Sequence, residues 1–189
     1  GAREGEAARR PEDRVRFEQL RQQLTQRMMS TPDLRQLRDH VRFSESDEGL
    51  RIDLMDEADF SMFKVGTDEL LPQAQRLVRE VAQVIQAVPN DIVVRGHTDS
   101  LPYASGRTMN NWMLSTARAE STRATLQQTG IPLQRIARIE GVADRDPFVP
   151  DNQYDPRNRR ISITLAWRDA PPVRTSLRRA RAPDTAAHP

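Results

Sequence analysis

The chain contains no cysteine, which excludes a disulfide framework and thiolate chemistry but leaves the compartment open, since exported domains often lack it as well. Lysine is almost missing too: Lys64 is the only one among 29 basic residues. The three histidines, His40, His97 and His188, are dispersed, so no metal-ligand spacing is present, and nothing in the sequence asks for a cofactor. No apolar run approaches the ~20 residues that span a bilayer, and no signal-peptide core is present. The net charge of +2 is too small to indicate a nucleic-acid partner. Basic residues gather near the two ends, as an ordinary solvated mixed surface does. The 189 residues suffice for one sizeable core with flanking segments.

Apolar periodicity divides the chain. Residues 1–11 are polar and rich in alanine and arginine, and are expected to be disordered. Phe17, Leu20, Leu24 and Met28 recur at helical spacing until Ser30-Thr31-Pro32 stops the pattern. That helix and a short one after Pro32 make a linker segment, residues 12–39. Its apolar stripe has two candidate partners, the same domain or a second copy of the helix in a dimer or mobile linker. Val41 and Phe43, then Leu50, Ile52 and Leu54, alternate on either side of Ser46-Asp47-Glu48-Gly49, which predicts a hairpin. Leu77, Val81, Val84, Ile85 and Val88 predict a long helix over 70–88, ended by Pro89. A second long helix is expected over 110–128 with Gly130 as its C-terminal cap, and strands over 136–139 and 160–167. The implied fold is α/β, a two-layer sandwich of a mixed sheet with two long helices on one face, occupying residues 40–168. Residues 169–189, with Pro171-Pro172 and scattered arginines, are expected to form a disordered basic tail.

The most informative stretch is 93–119. The β-branched run Ile92-Val93-Val94 reads as a buried strand that delivers Gly96-His97-Thr98-Asp99 to a loop. The following helix puts Leu114 and Arg118 on one side. An acid, Asp99, and a planar guanidinium, Arg118, then face one pocket from two elements, a pairing suited to a zwitterion. Asp99 read alone is equally a turn residue. His97, Asp99 and Ser115 are the residue types of a hydrolytic triad, but Ser115 lies inside a helical pattern with no Gly-x-Ser-x-Gly elbow around it. His97 is expected to pack under the loop, and Trp112, Tyr103 and Phe148 to anchor core or loops.

Thr98-Asp99 followed by Leu114-Ser115-Thr116-Ala117-Arg118-Ala119 resembles the signature of the OmpA-like peptidoglycan-binding domain. Pro102-Tyr103-Ala104-Ser105-Gly106, Asn111-Trp112, Glu48-Gly49-Leu50-Arg51-Ile52 and Asn158-Arg159-Arg160-Ile161-Ser162 make it most similar to the periplasmic region of flagellar stator subunits of the MotB family. Met113 stands where family members usually carry an acid.

The resemblance implies a non-enzymatic wall anchor. Asp99 and Arg118 would hold the amino and carboxylate groups of diaminopimelate in the stem peptide. Thr98 and Leu114 would line the pocket. Asn111 would bond the ligand, cap its helix, or both. Arg159 would be a second anion contact or a surface arginine fixing its loop. The long connection 141–158 is a candidate binding loop. The resemblance also implies a homodimer, a MotA-type membrane partner and a transmembrane helix N-terminal to this chain, which would place the domain in the periplasm. The runner-up is an OmpA-like envelope tether with no motor role; a peptidoglycan hydrolase is third.

Overall fold

The computed structural model describes residues 2–102 and 110–168, and for residues 2–9 the backbone only. The first helix, α1 (Ala2–Ser30), precedes the one-turn α2 (Pro32–Arg35). Strands β1 (Val41–Glu45) and β2 (Gly49–Met55) form the expected antiparallel hairpin. Helix α3 (Pro72–Ile85) leads to β3 (Ile92–His97), helix α4 (Asn111–Gln128) crosses to β4 (Ile136–Gly141), and β5 (Arg160–Ala166) is the last element among the described residues. The strand order is β1-β2-β5-β3-β4, with β3 and β4 parallel and every other pair antiparallel.

Strict alternation gives this sheet two unlike faces. Leu50, Ile52 and Leu54 of β2, Ile161, Ile163 and Leu165 of β5, and Ile92 and Val94 of β3 enter one core with Leu77, Val78, Val81 and Ile85 of α3 and Ala119 and Leu126 of α4. The intervening residues Arg51, Asp53, Ser162, Arg95 and His97 turn the other way and pair with one another or, for Arg95, with neighbouring glutamates. Arg51 bonds Asp53 at 3.1 Å, and Arg95 bonds Glu140 at 2.6 Å. The central strands bury Asp53, His97 and Ser162 on this face, and charges there are tolerated because they have partners.

Helix α1 settles the question its stripe posed. Phe17, Leu20, Leu24 and Met28 are buried in the domain's own core, and α1 packs on α3. Its start is fastened to the end of β5: buried Asp13 accepts from the backbone N–H of Arg168 at 3.0 Å and from its Nε at 2.7 Å. Phe17 stacks on Trp167 at 5.3 Å, and the Arg10 and Arg14 guanidinium groups lie over the same indole.

Several boundaries differ from expectation: α3 ends at Ile85 rather than 88, β4 runs on to Gly141, β5 stops at Ala166, and three further differences have a local cause. Helix α1 runs back through residues 2–11, expected to be disordered; alanine, arginine and glutamate are good helix formers there and carry the helix through Gly5 and Pro11. Helix α3 starts at Pro72 rather than Leu70, because proline favours the first helical position and Leu71 before it is extended. Asn110 rather than Asn111 caps α4: its backbone is extended and its Oδ1 accepts from the Met113 N–H at 2.9 Å. Gly130 closes α4 as expected, with φ of 115° and the paired bonds Gly130 N–H to Gln127 O and Ile131 N–H to Leu126 O. The segment 103–109, which includes most of the proline-to-glycine motif and Tyr103, and the tail from 169 onward lie outside the described residues.

Candidate ligand-binding site

Two glycines bring α4 onto the strand ends. Gly96 of β3 and Gly141 of β4 are register partners. A Cβ on Gly96 would overlap the Ser115 carbonyl oxygen and sit 2.8 Å from its carbon, and one on Gly141 would overlap Thr116 and sit 2.7 Å from Ser115 Oγ. The helix therefore lies against bare backbone at this point. Ser115 Oγ seals the contact, donating to Trp112 O at 3.0 Å and accepting from Ala143 N–H at 3.1 Å. Ser115 is thus committed to joining α4 to the turn after β4. His97 points to the opposite face of the sheet, where its Nε2 pairs with Ser162 Oγ at 3.0 Å. The triad residue types do not converge.

Beside this seam lies a cavity of about 590 Å³, and all six residues singled out from the sequence line it: Thr98, Asp99, Asn111, Leu114, Arg118 and Arg159. Asn111, Leu114 and Arg118 fall on one face of α4 by their spacing of three and four. Thr98 and Asp99 follow β3, and Arg159 immediately precedes β5, whose Arg160 pairs with His97. Strand alternation decides between the adjacent arginines. Arg159 faces the cavity, whereas Arg160 is buried on the polar face, its Nη2 donating to Asp146 O at 2.7 Å. Burial and the nearby arginines lower the Arg160 pKa to about 10, with Asp53 and Asp146 opposing.

Asp99 takes the turn role and also lines the cavity. Oδ1 accepts from the Leu101 N–H at 3.1 Å, which makes an Asx turn, while Oδ2 accepts from Arg159 Nη1 at 2.8 Å. Arg118 donates through Nε to the Thr67 carbonyl at 2.8 Å, and its guanidinium lies 4.9 Å from the Phe63 ring centre. Asn111 Nδ2 donates to Leu101 O at 2.9 Å, tying the loop to the helix. The Thr98 hydroxyl is buried at the cavity wall without a hydrogen-bond partner among the described residues. The walls thus offer two carboxylates, Asp99 and Asp56, two guanidinium groups and an unsatisfied hydroxyl around the apolar side chains of Leu114 and Phe63.

Sequence reasoning missed part of the lining: Asp56, Phe63 and Thr67 come from the segment after β2. Asp56 was legible only as a carboxylate following an alternating strand. It is buried, its Oδ1 accepts from Met62 N–H at 2.8 Å, and its Oδ2 accepts from Arg159 Nε at 3.0 Å. Burial raises its pKa, against the pull of the Met62 bond and of Arg159 and Arg118. The same two carboxylates raise the pKa of Arg159 even though burial works against its charge. The long connection after β4 supplies none of the cavity wall among the described residues. It braces the site from outside: Ser100 N–H donates to Gln153 O at 3.0 Å, and Asn158 holds the loop through Val149 N–H at 2.7 Å and Asn152 O at 2.9 Å. Trp112 and Phe148 do not line the cavity. Among the described residues no cluster of acids and histidines is placed to hold a metal.

The sheet order, the helix seam and the Asp99 to Arg118 cavity together define a recognisable unit, and residues 62–160 match the model of the OmpA family. The chain belongs to the OmpA family. Along 159 residues it is 35% identical to motility protein B of Escherichia coli K12, an alignment covering 84% of this chain and 52% of that protein. The chain therefore spans about half the length of that relative. This OmpA-family domain also superposes on the periplasmic domain of Helicobacter pylori MotB with a TM-score of 0.59 at 21% identity, covering 68% of this chain and 80% of that one. On the cell wall anchor of the type VI secretion system from Pseudomonas aeruginosa the TM-score is 0.61 at 25% identity, covering 76% and 96%. No helix among the described residues is long and apolar enough to cross a membrane.

Proposed function

We propose that this domain binds peptidoglycan without cutting it, and so anchors a flagellar stator complex to the wall. The observation that carries the reading is the single cavity lined by Asp99 on the strand side and Arg118 on the helix side. Diaminopimelate in a stem peptide ends in an ammonium and a carboxylate on one carbon. Asp99 Oδ2 accepts from the ammonium, and the Arg118 fork grips the carboxylate. Thr98 lends its hydroxyl, Leu114 packs on the aliphatic arm, Asn111 fixes Leu101 at the cavity wall, and Arg159 provides a second cation. Holding requires no nucleophile, and Ser115 is engaged elsewhere.

The motor role draws on the 35% identity to motility protein B. In that reading the domain is periplasmic, it follows a single membrane helix, it works as a homodimer, and a MotA-type partner lies in the membrane. Two linked sites on a polymeric wall raise the effective concentration, so weak single sites suffice. Helix α1 is then the segment between wall and membrane. The likeness to a secretion-system wall anchor favours a second reading, a tether with no motor. Restoring motility to cells that lack their own stator subunit, with the full-length protein, supports the motor; wall retention without motility supports the tether.

The gripping detail is tested by calorimetry with two stem tripeptides, one ending in meso-diaminopimelate and one in lysine. Lysine keeps the side-chain ammonium and lacks the carboxylate on the carbon that bears it. Loss of one charge-assisted bidentate contact is expected to weaken binding at least tenfold. Equal affinities would remove Arg118 from the proposed role.

A further inference from the structure

The cavity holds a carboxylate that the family signature does not contain. Asp56 follows β2 at the edge where β2 pairs with β5, and its N–H donates to Arg159 O at 3.0 Å. Its side chain completes a row, Asp56–Arg159–Asp99, in which one guanidinium bridges two carboxylates through different nitrogens, Nε at 3.0 Å and Nη1 at 2.8 Å. The two carboxylates are nearly closed off, with side-chain exposures of 8% and 7%, whereas the guanidinium side chain is 30% exposed. The arginine therefore covers both acids from the wet side.

This geometry poses a problem for an incoming ammonium, because the Asp99 oxygen that would receive it is already occupied by Arg159. A lone Asp99–Arg159 pair would have to be broken outright, leaving a half-buried guanidinium without a counter-charge. With Asp56 present the guanidinium stays neutralised after Nη1 lets go. We propose that Asp56 is a positioning residue that retains Arg159 through Nε, so that the ammonium of a zwitterionic stem peptide displaces only Nη1 from Asp99. The released Nη1 then faces the cavity as a donor for the ligand's carboxylate or peptide oxygen. This rests on the reading above in which Asp99 receives the ammonium. Row and ligand also match in charge: two acids and one arginine leave one negative charge for the ammonium, and Arg118 meets the carboxylate.

The substitution Asp56→Asn tests this with little change of shape, since the amide oxygen still accepts from Met62 N–H. In the ligand-free protein the arginine side-chain NMR signal of Arg159 Hε is expected to be slow to exchange in the wild type and fast in Asp56→Asn. With the tripeptide ending in meso-diaminopimelate, Asp56→Asn is expected to bind about tenfold more weakly than wild type, yet to cost no more than about twofold in an Arg159→Ala background. A merely structural role would cost the same in both backgrounds, and that result, or full affinity in Asp56→Asn, overturns the proposal. The wild type alone supplies a second check that needs no variant to fold: saturating tripeptide is expected to leave Arg159 Hε protected, and its loss on binding would contradict retention by Asp56. If the wild type binds no tripeptide, the failure belongs to the wall-binding reading; intact binding with no coupling between positions 56 and 159 belongs to this one.

Discussion

Gly96→Ala addresses the seam that sets the distance between strand-side acid and helix-side base. The new methyl would overlap the Ser115 carbonyl oxygen and lie 2.8 Å from its carbon and 3.2 Å from its Cα. Ordinary van der Waals contact begins near 3.4 Å, so clearing the carbon alone moves α4 by about 0.6 Å, and clearing the nearer oxygen moves it further. All three atoms are helix backbone, with no side chain that can rotate away. The register partner Gly141 leaves no slack on the neighbouring strand. Overpacking of this kind costs up to about 3 kcal/mol, and the upper end applies here because the obstacle is rigid. The retreat also loosens the Ser115 bond to Ala143 and carries Leu114 and Arg118 away from Asp99. Urea unfolding is expected to show a loss of about 3 kcal/mol, and stem-peptide affinity to fall about tenfold in protein that remains folded. Gly130→Ala is the control. Its φ of 115° makes alanine costly by about 1–2 kcal/mol, but it lies at the far end of α4 and should leave affinity unchanged. A Gly96→Ala protein within about 1 kcal/mol of wild type and with full affinity would refute the close-seam argument.

Leu24→Ala should cost about 2–5 kcal/mol in urea unfolding, because the side chain is fully buried in the domain core; a loss under 1 kcal/mol would mean α1 is not docked in solution. Arg168→Ala removes the guanidinium bond to buried Asp13 and keeps the backbone one, so amide exchange should quicken in the turns of α1 around Asp13 and leave α3 unchanged. His97 is buried, and burial followed by Arg160, Arg51 and Arg95 lowers its pKa to about 2, below the unfolded value of 6.5. The unfolded chain then takes up the proton first, so this stability is complete above pH 6.5 and is lost as pH falls toward 2. Between pH 7.5 and pH 5 the loss is about 2 kcal/mol, and His97→Gln should remove that slope in urea titrations.

Much of this architecture was legible because period-2 and period-3.6 patterns survive wherever an element has one buried face. Ile161, Ile163 and Leu165, or Leu77, Val81 and Ile85, declare their faces directly. The site residues were legible for a different reason, as a signature spread over a strand end and one helix face. What stayed hidden depends on contacts between distant segments. The value of Gly96 lies in Ser115, and that of Asp56 in Arg159, 103 positions away. The partner of the α1 stripe was hidden likewise, since Phe17 to Met28 fit a second helix as well as α3; the decisive features are Asp13 and Trp167, whose partners lie at opposite ends of the chain. The Asn110 cap was misplaced by one residue, a distinction that backbone conformation decides and composition does not.

In the proposed function Asp99 and Arg118 together hold the wall. Co-sedimentation with purified diaminopimelate-type peptidoglycan tests it most directly, comparing wild type with Asp99→Ala and Arg118→Ala, each first shown to unfold cooperatively. The wild type should pellet with the wall and both variants should remain in solution. Pelleting of both variants at the wild-type level would contradict the account.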